Sequence, residues 1–152
     1  MITIIEYEPM HQPYFDSLNR VWIEKYFRIE SRDEYILTKP EEAILQTGGS
    51  ILVAKYDHVV AGVVALIKID NDTYEFSKMG VDENFRRKGI AEALSHAAFK
   101  KVAELKGKKL ILFSNTLLEP AILLYRKLGF TEVPLEGMSE YSRSNIKMEL
   151  TL

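Results

Sequence analysis

Glu75-Phe76-Ser77-Lys78-Met79-Gly80-Val81-Asp82-Glu83-Asn84-Phe85-Arg86-Arg87-Lys88-Gly89 is a strand-like segment that ends in a basic, glycine-bearing turn, and a helical pattern starts directly behind it. A helix N-terminus leaves its first backbone N–H groups without partners, and the macrodipole places roughly half a positive charge there. Arg86, Arg87 and Lys88 add full charges, and Gly89 lets a ligand approach the backbone. The stretch therefore reads as an anion site suited to a phosphate or pyrophosphate.

On its N-terminal side, Ile2, Ile4, Ile5 and Tyr7 read as a first strand that Pro9 closes. Pro13 opens a helix in which Phe15, Leu18, Val21, Trp22, Ile23 and Tyr26 recur at three- and four-residue steps, the pattern of a core-facing stripe. Residues 27–35 mix aromatic, aliphatic and acidic side chains. Pro40 starts a short helix that Gly48-Gly49 end. Residues 51–56, 59–69 and 73–81 then form an antiparallel meander joined by turns at Asp57-His58 and Asp70-Asn71-Asp72, with a candidate bulge at Gly62.

On the C-terminal side a long helix runs over about 88–106, with Ile90, Leu94, Ala97, Ala98, Val102 and Leu105 as its buried stripe. Leu110-Ile111-Leu112-Phe113 suits a strand covered on both faces. Pro120 opens a helix that Gly129 ends, and Ile122, Leu123, Leu124 and Leu128 leave it so little polar surface that it is expected to be buried. Residues 131–134 and 145–150 read as the last strands, with a polar loop over 136–144. The order β-α-α-β-β-β-α-β-α-β-β over residues 1–152 describes one domain of the α/β (α+β) class.

Composition removes several functions. The formal net charge is −2, which gives no sign of bulk binding to nucleic acid or membrane. There is no cysteine, hence no disulfide, thiolate–metal site or cysteine nucleophile. The start of the chain lacks a basic leader and no apolar run is long enough to span a bilayer, so a cytoplasmic location is expected. His11, His58 and His96 are far apart, without metal-ligand spacing, and read as surface or helix-face residues; no metal is expected. No Gly-x-Ser-x-Gly elbow occurs, and Gly89 is not followed by the Lys-Ser/Thr of a nucleoside-triphosphate loop.

Arg86-Arg87-Lys88-Gly89-Ile90-Ala91 resembles the Gln/Arg-x-x-Gly-x-Gly/Ala signature of the GNAT superfamily of N-acetyltransferases. A second stretch, Ala121-Ile122-Leu123-Leu124-Tyr125-Arg126-Lys127-Leu128-Gly129-Phe130, is similar to that superfamily's second acetyl-CoA motif. The resemblance is specific over about 74–130. It implies the acetyltransferase fold, in which the fourth and fifth strands splay apart and the cofactor lies in the resulting V. It also implies acetyl-CoA as co-substrate and an amine as acceptor. The hydrophobic last strand could support a homodimer, and a monomer is equally open.

Moving an acetyl group from a thioester to an amine requires a neutral amine, a stabilised carbonyl oxygen and a proton for the leaving thiolate. By the resemblance, Glu75 is the candidate general base; its other reading is a cross-strand salt bridge. Met79, Gly80 and Val81 correspond to the strand backbone that contacts the pantetheine arm and polarises the thioester carbonyl. Arg86, Arg87, Lys88, Gly89, Ile90 and Ala91 correspond to the pyrophosphate loop.

Tyr125 matches the general acid, with a buried packing aromatic as its alternative, and Ala121 one turn earlier leaves room for the cofactor. Asn115 is a further cofactor candidate, although it stands farther ahead of Tyr125 than the family pattern has it. Arg86 replaces the commoner glutamine, and Ala91 the second glycine.

The acceptor pocket is expected from residues 27–35, with Phe27 and Glu30 as candidates, and from the loop 136–144. Glu24, Glu30, Asp33 and Glu34 are placed either to attract a cationic amine or to face water. With no cysteine, direct attack in a ternary complex is favoured over an acyl-enzyme. The rival functions are a longer-chain acyltransferase and a non-catalytic acyl-CoA sensor.

Overall fold

Alternating apolar residues along the meander give its two faces separate cores. The computed structural model describes residues 1–136 and 141–152. Strands β2 (Ser50–Tyr56), β3 (Val59–Lys68) and β4 (Thr73–Val81) are antiparallel neighbours, and β1 (Ile2–Glu6) adds to the free edge of β2. Strand β5 (Lys109–Ser114) joins β4 in parallel, and the connection this demands is helix α3 (Ile90–Glu104). Strands β6 (Thr131–Val133) and β7 (Ile146–Thr151) complete a seven-stranded mixed sheet of order β1-β2-β3-β4-β5-β7-β6. No helix among the described residues is long and apolar enough to cross a membrane.

One sheet face, carrying Ile51, Val53, Val63 and Ala65, packs with Phe15 and Ile23 of α1 (Gln12–Tyr26) and Ile36 and Leu37 of α2 (Ser31–Thr38). The other, carrying Leu52, Val64, Leu66 and Phe76, packs with Leu94 and Val102 of α3 and Ile122 of α4 (Glu119–Lys127). Burying a side chain such as Leu94 contributes about 1.5–3 kcal/mol.

Two irregularities interrupt the ladders. Ala54 faces Gly62 while Lys55 faces Val60, which leaves Ala61 as an extra residue beside the glycine where a bulge was expected. On β4, Gly80 faces Val63 and Ser77 faces Ala65, so Lys78 and Met79 together oppose Val64. Lys78 takes the left-handed conformation, φ 51, that this bulge requires.

Several local expectations change. Helix α2 occupies part of the mixed stretch, and the segment after Pro40 is one π-type turn, Glu41–Leu45. Glu30, an uncommon cap, hid the start of α2; its N–H donates to Asp33 Oδ2 at 2.9 Å as the return half of a capping box. The buried line of α1 is Phe15, Asn19 and Ile23, while Val21 and Tyr26 are exposed. Asn19 tolerates burial because its amide donates to Phe15 O at 2.9 Å and accepts from Trp22 Nε1 at 3.0 Å.

Helix α4 buries only Ile122, and Leu123 is 68% exposed. Successive helical residues point about 100° apart, and α4 has the sheet on one side only. His11 is buried rather than on the surface, its Nδ1 accepting from Glu8 N–H at 2.9 Å.

Candidate active site

β4 and β5 pair only from Thr73 to Glu75 and from Lys109 to Ile111. Beyond that point they diverge, as expected of the fourth and fifth strands, and the edge of β4 that faced β5 loses its ladder. A cavity of about 240 Å³ fills the V. Glu75 sits at the apex, and Lys78, Met79, Gly80 and Val81 continue one wall. Leu112, Phe113, Ser114 and Asn115 form the other wall, closed by Leu118, Ala121 and Tyr125 from the start of α4. Trp22 and Phe27 close it from the side of α1, and Tyr141, Arg143 and Ser144 from the loop before β7.

Gly80 is where α1 crosses β4: a Cβ there would lie 2.8 Å from Leu18 O, so any side chain would push the helix off the sheet. The bulge re-aims the side chains on either side of it. Lys78 turns toward α2, while Met79 and Val81 pack with the α3 core.

Tyr125 lies at the opposite wall. Its ring packs edge-on against Phe76 and Phe130, each 5.9 Å between centroids. Its hydroxyl makes no hydrogen bond among the described residues, and burial pushes its pKa up to about 12.

The basic turn follows β4 and does not form part of the cavity wall. Arg86, Arg87, Lys88 and Gly89 are exposed, Arg87 and Gly89 have positive φ (62 and 80), and a Cβ at Gly89 would meet nothing within 4 Å. Ile90 and Ala91 begin α3, so the unpaired N–H groups of its first turn lie directly behind the basic side chains. Lys88 Nζ is 5.1 Å from the Tyr56 ring centroid, and Arg86 Nη2 is 3.2 Å from Glu83 Oε1.

The α2 side of the cavity holds a buried ionic cluster. Asp33, with a side-chain exposure of 0%, accepts Lys78 Nζ (2.9 Å) and Arg143 Nη2 (2.8 Å) on Oδ1. Its Oδ2 accepts Arg143 Nη1 (2.7 Å) and the Glu30 N–H (2.9 Å). Lys78 Nζ also donates to the Tyr141 hydroxyl at 2.9 Å. Burial works against the Asp33 charge, but Arg143 and Lys78 outweigh it and hold the pKa at about 2. Burial lowers the pKa of Lys78, opposed by Asp33. Burial also raises the Tyr141 hydroxyl, and the negative charge of Glu75 adds to that.

The candidates distribute unevenly. Glu75, Met79, Gly80, Val81, Asn115, Tyr125 and Phe27 line one cavity. The Asn115 side chain is engaged with backbone: Nδ2 donates to Arg143 O (2.7 Å) and Oδ1 accepts from Leu117 N–H (2.8 Å). Glu30 lies behind the wall, accepting from Ser142 N–H (3.0 Å) and Arg143 Nη1 (3.3 Å). Glu34 pairs with Arg20 at 2.9 Å.

In the loop 136–144, residues 137–140 lie outside the described part of the chain. Lys78, Tyr141 and Arg143 were not singled out from the sequence. The available signal was Lys78 itself, a cation amid the apolar pattern of a central strand.

A family profile described as Acetyltransferase (GNAT) domain matches residues 47–132. The chain belongs to the GNAT acetyltransferase family. N-acetylaspartate synthetase of Danio rerio is 36% identical over 89 residues, which are 57% of this chain and 31% of that protein. The chain therefore matches about a third of the length of this relative.

Among solved structures, a GNAT-family acetyltransferase from Staphylococcus aureus Mu50 superposes with a TM-score of 0.89 at 21% identity, over 99% of both chains. The yncA protein of Salmonella typhimurium, solved with its cofactor acetyl-CoA, gives 0.77 at 17% identity, over 99% of this chain and 93% of that one. At such identities the likeness is one of fold.

Proposed function

We propose that this protein is an acetyl-CoA-dependent N-acetyltransferase that moves the acetyl group to a primary amine by direct attack in a ternary complex. Residues 1–152 act as its catalytic domain, and the cytoplasm is its proposed location. The observation that carries this reading is the cleft itself: a candidate base at the apex of the splayed strands and a tyrosine on the opposite wall, with a basic helix start where β4 leads out.

The unpaired edge of β4 offers N–H and C=O groups that an extended pantetheine arm can pair with, in the manner of an added strand. A β4 N–H would then polarise the thioester carbonyl. The exposed turn and the first turn of α3 would take the pyrophosphate through backbone N–H groups and the charges of Arg86, Arg87 and Lys88. Acetyl-CoA in the similar Salmonella fold supports this assignment, and the name of the zebrafish relative supports nitrogen as the accepting atom.

Glu75, directly or through water, removes a proton from the amine. The nitrogen lone pair forms the C–N bond, and the C–S electron pair leaves on sulfur. Tyr125 gives that sulfur a proton. A tyrosine near 12 is a weak acid beside a thiol of about 8.5, but the burial that raises the phenol also raises the basicity of a thiolate released against it.

The test is release of free CoA from acetyl-CoA across a panel of amines. Glu75→Gln should lower turnover at neutral pH by about 10²-fold or more, with the loss shrinking at high pH, where the amine loses its proton unaided. A variant whose pH–rate profile parallels the wild type with little loss assigns Glu75 to structure.

A further inference from the structure

The Arg143 guanidinium carries five N–H donors, arranged as an end edge and a side edge. The end edge is spent: Nη1 donates to Asp33 Oδ2 and Glu30 Oε2, and Nη2 donates to Asp33 Oδ1. The remaining two donors, Nε–H and the second Nη2–H, lie together on the side edge. Among the described residues neither has an acceptor. Arg143 lines the cavity with a side chain that is 12% exposed, so these two donors keep access to a ligand and find no acceptor among the described residues. A charged fork of this kind binds a planar two-oxygen acceptor through two parallel hydrogen bonds, and its spacing matches the two oxygens of a carboxylate.

The fork is also fixed in place. Asp33 grips the end edge through both oxygens, and the guanidinium carbon lies 4.3 Å from the Tyr141 ring centroid and 6.0 Å from those of Trp22 and Phe27. The surrounding charges permit an anion. Lys78 and Arg143 balance Asp33 and Glu30, and the charge of Arg32 also reaches Tyr141. Glu75, in the same cavity, supplies the negative charge at the apex.

We propose that the acceptor is an amine that itself carries a carboxylate, an amino acid in its simplest form, and that the side edge of Arg143 holds that carboxylate while the amine points toward Glu75. This deepens the acetyltransferase reading and rests on it. The chemistry is unchanged: the amine nitrogen gains the acetyl carbon and loses a proton to Glu75 or water, and the sulfur leaves with the C–S pair and gains a proton. Polyamines and aminosugars, which lack a carboxylate, would leave the fork empty.

The test compares glycine, L-alanine, L-aspartate and L-phenylalanine, each beside its α-carboxamide, in the full chain with acetyl-CoA. The amide's amine is less basic and hence more often neutral at pH 7, so without a carboxylate contact the amide should react faster. The expected result is that at least one acid exceeds its amide in kcat/KM by about 10- to 100-fold. In Arg143→Lys, which keeps a cation beside Asp33 but removes the fork, that ratio should fall to one or below. A purely structural role would lower acid and amide together and leave their ratio alone.

Transfer to amines with no acid preference overturns the inference and leaves the acetyltransferase reading standing. If no amine is acetylated, calorimetric titration of the same four acids into the CoA-saturated protein decides, and absence of binding overturns the inference.

Discussion

At the α3 end of the cleft the polar groups are exposed, and they come from one contiguous stretch, Arg86 to Ala91, with backbone N–H groups at a helix start. At the α2 end they are buried side chains brought from afar: Lys78 and Asp33 are 45 residues apart, Arg143 and Asp33 110. The first arrangement needs only local backbone geometry and tolerates water, because no charge in it has been desolvated. The second places charges in the interior, where each depends on its partner, since an unpaired buried ion costs several kcal/mol. An exposed site can thus be altered without unfolding the protein, whereas the buried cluster links one wall of the cavity to stability.

The largest expected effect lies between these ends, at Tyr125. Tyr125→Phe keeps the ring against Phe76 and Phe130 but removes the hydroxyl proton. It should fold, bind acetyl-CoA within a few-fold of wild type, and lose roughly 10²–10⁴-fold in kcat. Single-turnover kinetics checks this, and an unchanged acetyl-transfer step would make Tyr125 a packing residue.

Next is the buried cluster. Asp33→Asn leaves Lys78 and Arg143 without their shared anion and should cost about 3–5 kcal/mol in urea unfolding. Glu34→Gln, at an exposed pair with Arg20, should cost about 1 kcal/mol or less. Similar losses at both sites would erase the contrast between buried and exposed charge.

Acid titration sharpens the same point. Asp33 is depressed from its ordinary value near 3.8 to about 2 in the folded protein. Its contribution, about 2 kcal/mol, is fully present above pH ~4 and is lost as the pH falls from ~4 to ~2. Unfolding free energy measured over that window should drop accordingly in the wild type and be flatter in Asp33→Asn.

The smallest effect is at the exposed turn. Gly89→Asp adds a side chain in open space, in a left-handed conformation that Asp tolerates better than most residues. Stability should fall by about 1 kcal/mol. Acetyl-CoA affinity by calorimetry should fall about tenfold or more, from the negative charge placed at the helix start. Near-native affinity would remove the turn from the cofactor site.

The sequence by itself determined the features whose causes are local. The two-residue alternation of the meander, the glycine-bearing basic turn and the stripe of α3 each arise from neighbours within a few positions, so the strand order, helix α3 and the stretch from Glu75 to Ala91 could be read directly, whereas α2 could not. Only the tertiary structure decided which polar residues were expensive. Asp33 read as one of several acids that either attract a cationic amine or face water, and nothing beside it in the chain marks it as the anion shared by Lys78 and Arg143. Helix α4 looked uniformly apolar, yet Leu123 faces outward because the sheet covers one side of that helix only. Burial and long-range charge pairing depend on how separate elements pack, and a sequence pattern with a period of a few residues carries no record of the partner it will meet across the fold.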